Sequence, residues 1–394
     1  MGGDNRGGPR PRYAADQEEQ RFDQQAGTGH HGIEAEENPC RQAIAVVPAV
    51  HEHEGQRDEI GKDEADDTAE ADASVPRRRG HRYVADRAAS HEDGQVTYSI
   101  VARDPETGAF GVAVQSHFFS VGAIVPWVEA GVGAVATQAF SELSYGPLGL
   151  ERMRAGQPAN EVLGALVAAD SRHATRQVAM VDGTGLAVVH SGSSCVAYAG
   201  SRTATGWAVQ ANMMRTPAVP DAMADAFVGA SGDFIDRLLV TLDAAEAAGG
   251  DIRGQQSAAL LVSSTAPDAS VSADTVLRLH VEYHDRPLVE LRRLVGMHRA
   301  YQLVGGALER AQSGSLEDVV PTLERAHELA PESSEIRFWL GGLWTMAGDP
   351  RGRPMLDELF VANSGWRDLI PRLIAAGAIP DLPGMVELLT AREA

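Results

Sequence analysis

Lysine is all but missing from this chain of 394 residues: Lys62 is the only one, and beyond it every permanently positive side chain is an arginine. That absence removes Schiff-base catalysis, a P-loop or kinase-type lysine and a lysine general base from everything that follows. Arginine does not replace lysine as a base, because it stays protonated. Cysteine is scarce as well. Cys40 and Cys195 form no metal-spaced pair and no disulfide framework, which excludes structural zinc and thiol redox motifs. Positive charge is in deficit, 34 basic against 55 acidic residues for a formal charge of -21, which argues against nucleic acid or an acidic membrane as partner. No apolar run approaches the roughly 20 residues of a membrane helix, and the polar start lacks a secretory pattern. The expected location is therefore cytoplasmic, with no metal and no organic cofactor.

What is present falls into unlike parts. Residues 1–95 carry Gly/Arg/Pro clusters, an acidic stretch from Asp58 to Asp72, the basic run Arg77-Arg78-Arg79 and a single short apolar patch, Ala43 to Val50. Such a segment cannot bury enough apolar surface to offset its chain entropy, so disorder is expected. His51-Glu52-His53-Glu54 lacks the spacing of a helical metal pair and reads as solvated tail. Order is expected to begin at Thr97-Tyr98-Ser99-Ile100-Val101-Ala102, a β-branched and aromatic strand. Three explanations fit the break. Translation starts at Val96 on a GUG codon, or residues 1–96 are a leader removed later, or they are a permanent extension. The first two make Thr97 an amino terminus.

From residue 96 to 285, hairpins and helix pairs alternate. Strands are expected at Phe110–Ser116, Val132–Ala139, Arg176–Val181, Leu186–Ser191, Trp207–Asn212, Ser257–Ser263 and Thr275–Glu282. Helices are expected at Leu148–Arg154, after Pro158 as a first-turn residue, at Ala218–Val228, and at Phe234–Ala248 behind a Ser231 cap with Asp233 in its first turn. The pattern points to an α+β fold of two antiparallel sheets with helices outside them. From 286 to 394 the pattern is wholly helical, a small all-α helical-hairpin domain. Gly314 and Gly348 stand 34 residues apart, and Val319, Leu323, Ala326, Pro331, Leu340, Gly341 and Trp344 occupy tetratricopeptide-like positions. Pro350 and Pro354 are expected to interrupt the next helix, and two imperfect repeats are expected to pack on the preceding domain. Phe338, Trp339, Leu343 and Trp344 read as core.

An amino-terminal threonine supplies a nucleophile and a base in one residue, since its α-amine titrates at roughly 7.7 to 8. That chemistry suits a body without lysine. Catalytic candidates are Thr97, with Ser116, Gln138 and Asn212 as polar groups embedded in apolar strands where an oxyanion would need donors. Gln256 and Ser257 are further polar candidates for binding substrate. Arg103 with Asp104, and Arg253 with Asp251, are charged pairs near strand ends, available for anchoring substrate or as plain salt bridges. His190 reads as a satisfied histidine beside a turn, and Cys195 as a small buried residue.

The run TYSIVARDPETGAFGVAVQSHFFSVGAIVPWVEAGVGAVATQA, with RQVAMVD, HSG, AVQANM and GGDIRGQQSAALLV in the same order, resembles the bacterial and archaeal family called domain of unknown function 1028, from Thr97 to about Leu261. That family resembles the amino-terminal nucleophile (Ntn) hydrolases, which implies a four-layer αββα sandwich and an exposed threonine equivalent to Thr97. The resemblance implies an amide hydrolase acting on a small amide or peptide-like substrate, with Thr97 as nucleophile. Some members carry a C-terminal segment labelled peptidoglycan-binding, which Pro287 to Pro380 resembles, so a cell-wall fragment is a second expected partner. The alternative is a non-catalytic protein that binds a peptide or peptidoglycan fragment through its helical C-terminus. Oligomeric state is open, a homo-oligomer included.

Overall fold

Strand β1 (Thr97–Arg103) is buried from Thr97 to Ala102, with only Arg103 half-exposed. A strand covered on both faces reads as a continuous rather than an alternating run, and its residues divide between two cores. Tyr98, Ile100 and Ala102 enter one hydrophobic cluster, and Val101 enters another on the opposite face. The computed structural model describes residues 97–264, 275–312, 319–379 and 381–391. The expectations for residues 1–95, His51–Glu54 included, lie outside them.

Antiparallel strands follow: β2 (Phe110–Ser116), β3 (Pro126–Glu129), β4 (Gly133–Ala139), β5 (Arg176–Asp182), β6 (Ala187–Ser191), β7 (Gly200–Ala204), β8 (Trp207–Asn212), β9 (Ser257–Ser263) and β10 (Thr275–Val281). They form a six-stranded sheet in the order β10-β9-β2-β1-β8-β7 and a four-stranded sheet in the order β3-β4-β5-β6. The sheets face each other through Val101, Val112, Val114, Ala134, Ala136, Ala179 and Val181. Helices α1 (Tyr145–Arg154) and α2 (Ala159–Ala169) cover the outer face of the smaller sheet, through Tyr145, Leu150, Val162 and Leu166 against Val135, Val178 and Met180. Helices α3 (Val219–Gly229) and α4 (Phe234–Ala247) cover the outer face of the larger one, through Met223, Phe227, Leu238 and Leu242. Glycine permits close approach at two places. A Cβ on Gly146 would stand 2.4 Å from the Trp127 ring, and one on Gly111 would stand 2.6 Å from Leu238 Cδ1. Among the described residues, the side chains in these three cores come from residue 98 onward.

The rest is helical: α5 (Pro287–Gln312), α6 (Val319–Leu329), α7 (Ser334–Met346), α8 (Gly352–Ala362), α9 (Gly365–Ala375) and α10 (Met385–Thr390), making ten α-helices among the described residues. α5 serves both parts, giving Leu288, Leu291 and Val295 to the core of the larger sheet and Ala300 to a cluster with Ala326, Ala330 and Ile336. The helical part therefore packs on the sheets through one shared helix. Phe338, Leu343 and Trp344 are buried, and Trp339 packs against their clusters. No helix among the described residues is long and apolar enough to cross a membrane.

Several local expectations need correcting. Asp233, not Ser231, caps α4: its Oδ1 accepts from the Asp236 N–H at 2.9 Å, one turn on. Pro158 stands at the cap of α2 in an extended conformation rather than inside the first turn. The free Ala159 N–H behind it is taken up at 2.9 Å by Asp182, a residue 23 positions away. Pro354 does not interrupt α8, because it falls in the first turn, where a missing N–H breaks no helical hydrogen bond. β3 and β7 were not expected; both are short edge strands, β3 starting at a proline and β7 polar and largely exposed, so neither shows a strand-length apolar pattern.

One buried group in this frame is anomalous. Gln115 is fully buried on the helix-facing side of β2, between Tyr98 and Ala258 in register, and neither its Oε1 nor its Nε2 has a partner among the described residues. An unpaired buried amide costs about 1–3 kcal/mol. Gln115→Met, which keeps the length and removes the amide, is expected to raise the midpoint of thermal unfolding by about 2–4 °C per kcal/mol regained. Calorimetry checks this, and a lowered midpoint would mean that Gln115 is paired in solution.

Candidate functional site

Residues opposite each other in neighbouring strands share a face, so register alone assembles a site. Asn212, Thr97, Ser116 and Ser257 stand in one row across β8, β1, β2 and β9. In the facing sheet Gln138, Gln177 and Ser191 form a second row across β4, β5 and β6. Two residues further along β1 and β8, Ser99 pairs with Gln210. Polar side chains therefore occupy one end of an otherwise apolar space between the sheets.

Hydrogen bonds lock these rows together. The Thr97 hydroxyl donates to Ser116 Oγ at 3.1 Å, and the Thr97 carbonyl accepts from Gln138 Nε2 at 3.0 Å and Asn212 Nδ2 at 3.3 Å. Both amides also donate to Gln177 Oε1, at 2.8 and 3.1 Å. Gln177 Nε2 in turn donates to Ser191 Oγ and to the carbonyls of Ala211 and Gly200. Ser99 fixes the other end of Gln138 by donating to its Oε1 at 2.6 Å, and itself accepts from Gln210 Nε2 at 3.2 Å. Thr97, Ser99, Gln138, Gln177 and Gln210 are fully buried and Asn212 nearly so.

This geometry revises two expected roles. Gln138 and Asn212 were expected to offer donors to an oxyanion, but each NH2 group has both hydrogens engaged, one on Thr97 and one on Gln177. They position Thr97. Ser257 joins the row but works on the adjoining loop, donating to Phe118 O at 2.5 Å and accepting from the Val121 N–H at 3.1 Å. Gln256 holds the same end of β2 through its backbone, its N–H donating to Ser116 O at 3.2 Å. Arg253 lies at the rim, 3.4 Å from the buried Asp251. Arg103 does not come to the site. It stands six residues along β1, about 20 Å from Thr97 at the rise of a strand, and Asp104 faces Arg237 at 3.9 Å rather than Arg103.

Strain gathers at the same end of the sheets. Among the described residues the non-glycine positions with positive φ are Ser120, Ala139 and Met213, at 60°, 67° and 57°. Ala139 follows Gln138, Met213 follows Asn212, and Ser120 lies four residues past Ser116. Left-handed backbone at such residues costs on the order of 1 kcal/mol and clusters where function over-determines the chain. Beneath Thr97, the Tyr98 hydroxyl donates to Glu246 Oε2 at 2.8 Å. Burial first, then the neighbouring carboxylate, pushes this phenol well above its ordinary value, so it remains a donor. Cys195 is half-buried, and burial raises its thiol, which argues against a second nucleophile. His190 is tied to His173 O at 2.8 Å. No group of three or more His, Cys, Asp or Glu side chains among the described residues is arranged to hold a metal ion.

Sequence reasoning missed Ser99, Gln177 and Gln210. The available signal was spacing: Thr97 with Ser99, and Gln210 with Asn212, are polar residues two apart in otherwise apolar strands, which puts each pair on one face.

Residues 97–291 match a family of unknown function, DUF1028. The crystal structure of a DUF1028 protein from Silicibacter pomeroyi is similar over 51% of this chain and 88% of that one, with 34% identity and a TM-score of 0.46. The domain at residues 97–291 belongs to this family. No curated protein matches it.

Gln177 is the hub that joins the two rows. Gln177→Leu keeps the bulk while leaving the amides of Gln138 and Asn212 and the Ala211 carbonyl short of a partner. It is expected to destabilise the protein by about 2–4 kcal/mol. Urea unfolding measures this, and a loss below about 0.5 kcal/mol would mean that the rows hold together without it.

Proposed function

We propose that the chain is an amide hydrolase of the amino-terminal nucleophile type, in which Thr97 becomes the first residue through processing or a late start. One observation carries this reading: a fully buried threonine opens the central strand, with its hydroxyl on Ser116 and its carbonyl clamped by two side-chain amides. Two stacked antiparallel sheets with helices outside them support it, being the layering expected of an Ntn αββα sandwich. In the reaction Thr97 Oγ1 attacks the substrate carbonyl and its proton passes to the Thr97 amine. The C–N bond then breaks as that proton goes to the leaving nitrogen, and water hydrolyses the remaining ester to acid and free Thr97. Ser116 is the polar neighbour of the attacking oxygen. Arg253 at the rim suits a substrate that bears a carboxylate. We place the substrate among small amides and peptide-like molecules, cell-wall fragments included, in the cytoplasm.

A second reading, a non-catalytic binding protein, draws on an open groove of about 580 Å³ lined by His327, Arg337, Trp344, Arg351 and Glu358. Its arginines already have carboxylate partners: Arg337 pairs with Glu358, and Arg351 pairs with Asp349 and Glu324. The separate apolar cavity beside it, about 60 Å³, is smaller than the roughly 150 Å³ that holds one benzene. The Thr97 site is the better supported of the two.

Intact mass and amino-terminal sequencing of the protein made from its own gene and upstream DNA are expected to show Thr97 first. A stable terminus at Met1 or Val96 defeats the hydrolase. Thr97→Ala is expected to keep the circular dichroism spectrum and to lower turnover of an amide substrate at least about a thousandfold, with any binding in the groove unchanged.

A further inference from the structure

Strand β1 begins at Thr97, and both of its neighbours run past that point. β8 continues into Met213 and Met214, β2 continues to His117, and the lane between them, in line with β1, is taken by Asp251. Asp251 forms an antiparallel bridge with Met214. The hydrogen bonds flanking that bridge run from the Ile252 N–H to Met213 O at 3.3 Å and from the Arg215 N–H to Gly250 O at 3.0 Å. They lie on the β1 side of β8, because Met214 uses its own N–H and C=O on Tyr198 at the opposite side. From β2, the His117 N–H donates to Asp251 Oδ2 at 3.0 Å. The Asp251 carboxylate is thus held across the start of β1, facing the end at which the Thr97 nitrogen lies.

This carboxylate is short of charge. Its side chain is fully buried; Oδ1 accepts from the Arg253 backbone N–H at 2.8 Å, and its cationic partner among the described residues is the Arg253 guanidinium, whose Nε and Nη2 stand 3.4 Å from Oδ1 and Oδ2 with a third of that side chain exposed. Two backbone N–H groups satisfy its oxygens, but a part-exposed guanidinium at 3.4 Å is a long contact for a buried charge, so a second, closer cation would be favoured here. An amino-terminal Thr97 would bring a second positive charge to this place. We infer that Asp251 is the counter-ion of the Thr97 α-ammonium and the residue that positions this amine beside Oγ1. The assignment rests on the proposed reading that Thr97 becomes the first residue. No bond is made or broken at Asp251. It fixes the direction of the amine and raises its basicity, so that the amine is aimed at the hydroxyl proton before substrate enters.

Among the described residues, few charged and titratable groups surround the amine. Arg253 and Asp251 come from the loop before β9, and His117 from the end of β2, with its Nδ1 at 3.2 Å from Gln255 O. Arg215 follows β8, with its guanidinium on Ile252 O. Tyr98 and the α4 residues Glu246 and Asp243 lie on the helix side.

The test uses a chain beginning at Thr97, released from a cleavable amino-terminal fusion, whose folding is checked first by circular dichroism; the described residues that fill the cores of the sheet domain all lie from residue 98 onward. That chain contains one primary amine, because the sole lysine is Lys62. The pH dependence of its acetylation, followed by intact mass, gives the amine pKa directly. Asp251→Asn keeps an acceptor for the His117 N–H and removes the charge; it is expected to lower the amine pKa by about one unit, tenfold in the dissociation constant. Arg253→Gln, which leaves the amine as the carboxylate's remaining cation, is expected to raise it. An unchanged amine pKa in folded Asp251→Asn overturns the assignment. Should that variant not fold, Arg253→Gln decides, and no upward shift there overturns it equally. Neither measurement needs turnover. An amine that follows Asp251 in a protein that cleaves no amide keeps this assignment and removes the hydrolase; an amine indifferent to Asp251, in a protein that loses turnover on Thr97→Ala, does the reverse.

Discussion

Polar groups placed between two β-sheets are costly unless each finds a partner, and here the partners come from both sheets. The Thr97 carbonyl receives one amide hydrogen from β4 and one from β8, and both donors return to the single oxygen of Gln177. This arrangement is what allows a hydroxyl residue to sit buried at the start of a central strand. It also fixes the pairing register of the strands, because a one-residue slip of a strand would turn its polar side chain toward the helices. The left-handed positions after Gln138 and Asn212 are the local backbone cost of ending two strands at that network.

Much of this was legible in the sequence because the strands are buried on both faces. Continuous apolar runs mark β1, β2, β5, β8 and β9 with bounds within a residue of those observed. The edge strands β3 and β7 escaped because an edge is short, polar or started by proline, and so resembles a loop. In the site, single polar residues such as Ser116, Gln138 and Asn212 stood out against apolar neighbours. Gln177 did not, since it lies one residue into its strand, where a polar side chain is unremarkable. What no one-dimensional reading supplies is direction. The amides of Gln138 and Asn212 turn inward to Thr97, and Arg103 lies at the far end of the strand that Thr97 begins.

The long helix α5 joins the two halves physically as well as in sequence. Its first turns complete the core over the larger sheet, and its later turns found the helical cluster with Ala326 and Ile336. The family match ends at residue 291, inside this helix, while the packing continues beyond it. Capping by distant residues recurs in the same spirit: Asp182 of the β5 end supplies the acceptor that Pro158 cannot, tying α2 to the sheet beneath it.

Strand order carries a consequence for synthesis. Thr97 lies in the first strand to emerge in the described part of the chain, yet its neighbours in the row come from 19 residues downstream on one side and 115 on the other. A nascent chain can close the β1–β2 hairpin early, but it has no clamp for the Thr97 carbonyl until β8 has been made, and no Asp251 loop until after α4. Such non-local pairing slows folding. It also means that any product truncated or stalled before β8 lacks the clamp, so that whatever chemistry Thr97 performs is withheld until the ribosome has made most of the layered domain.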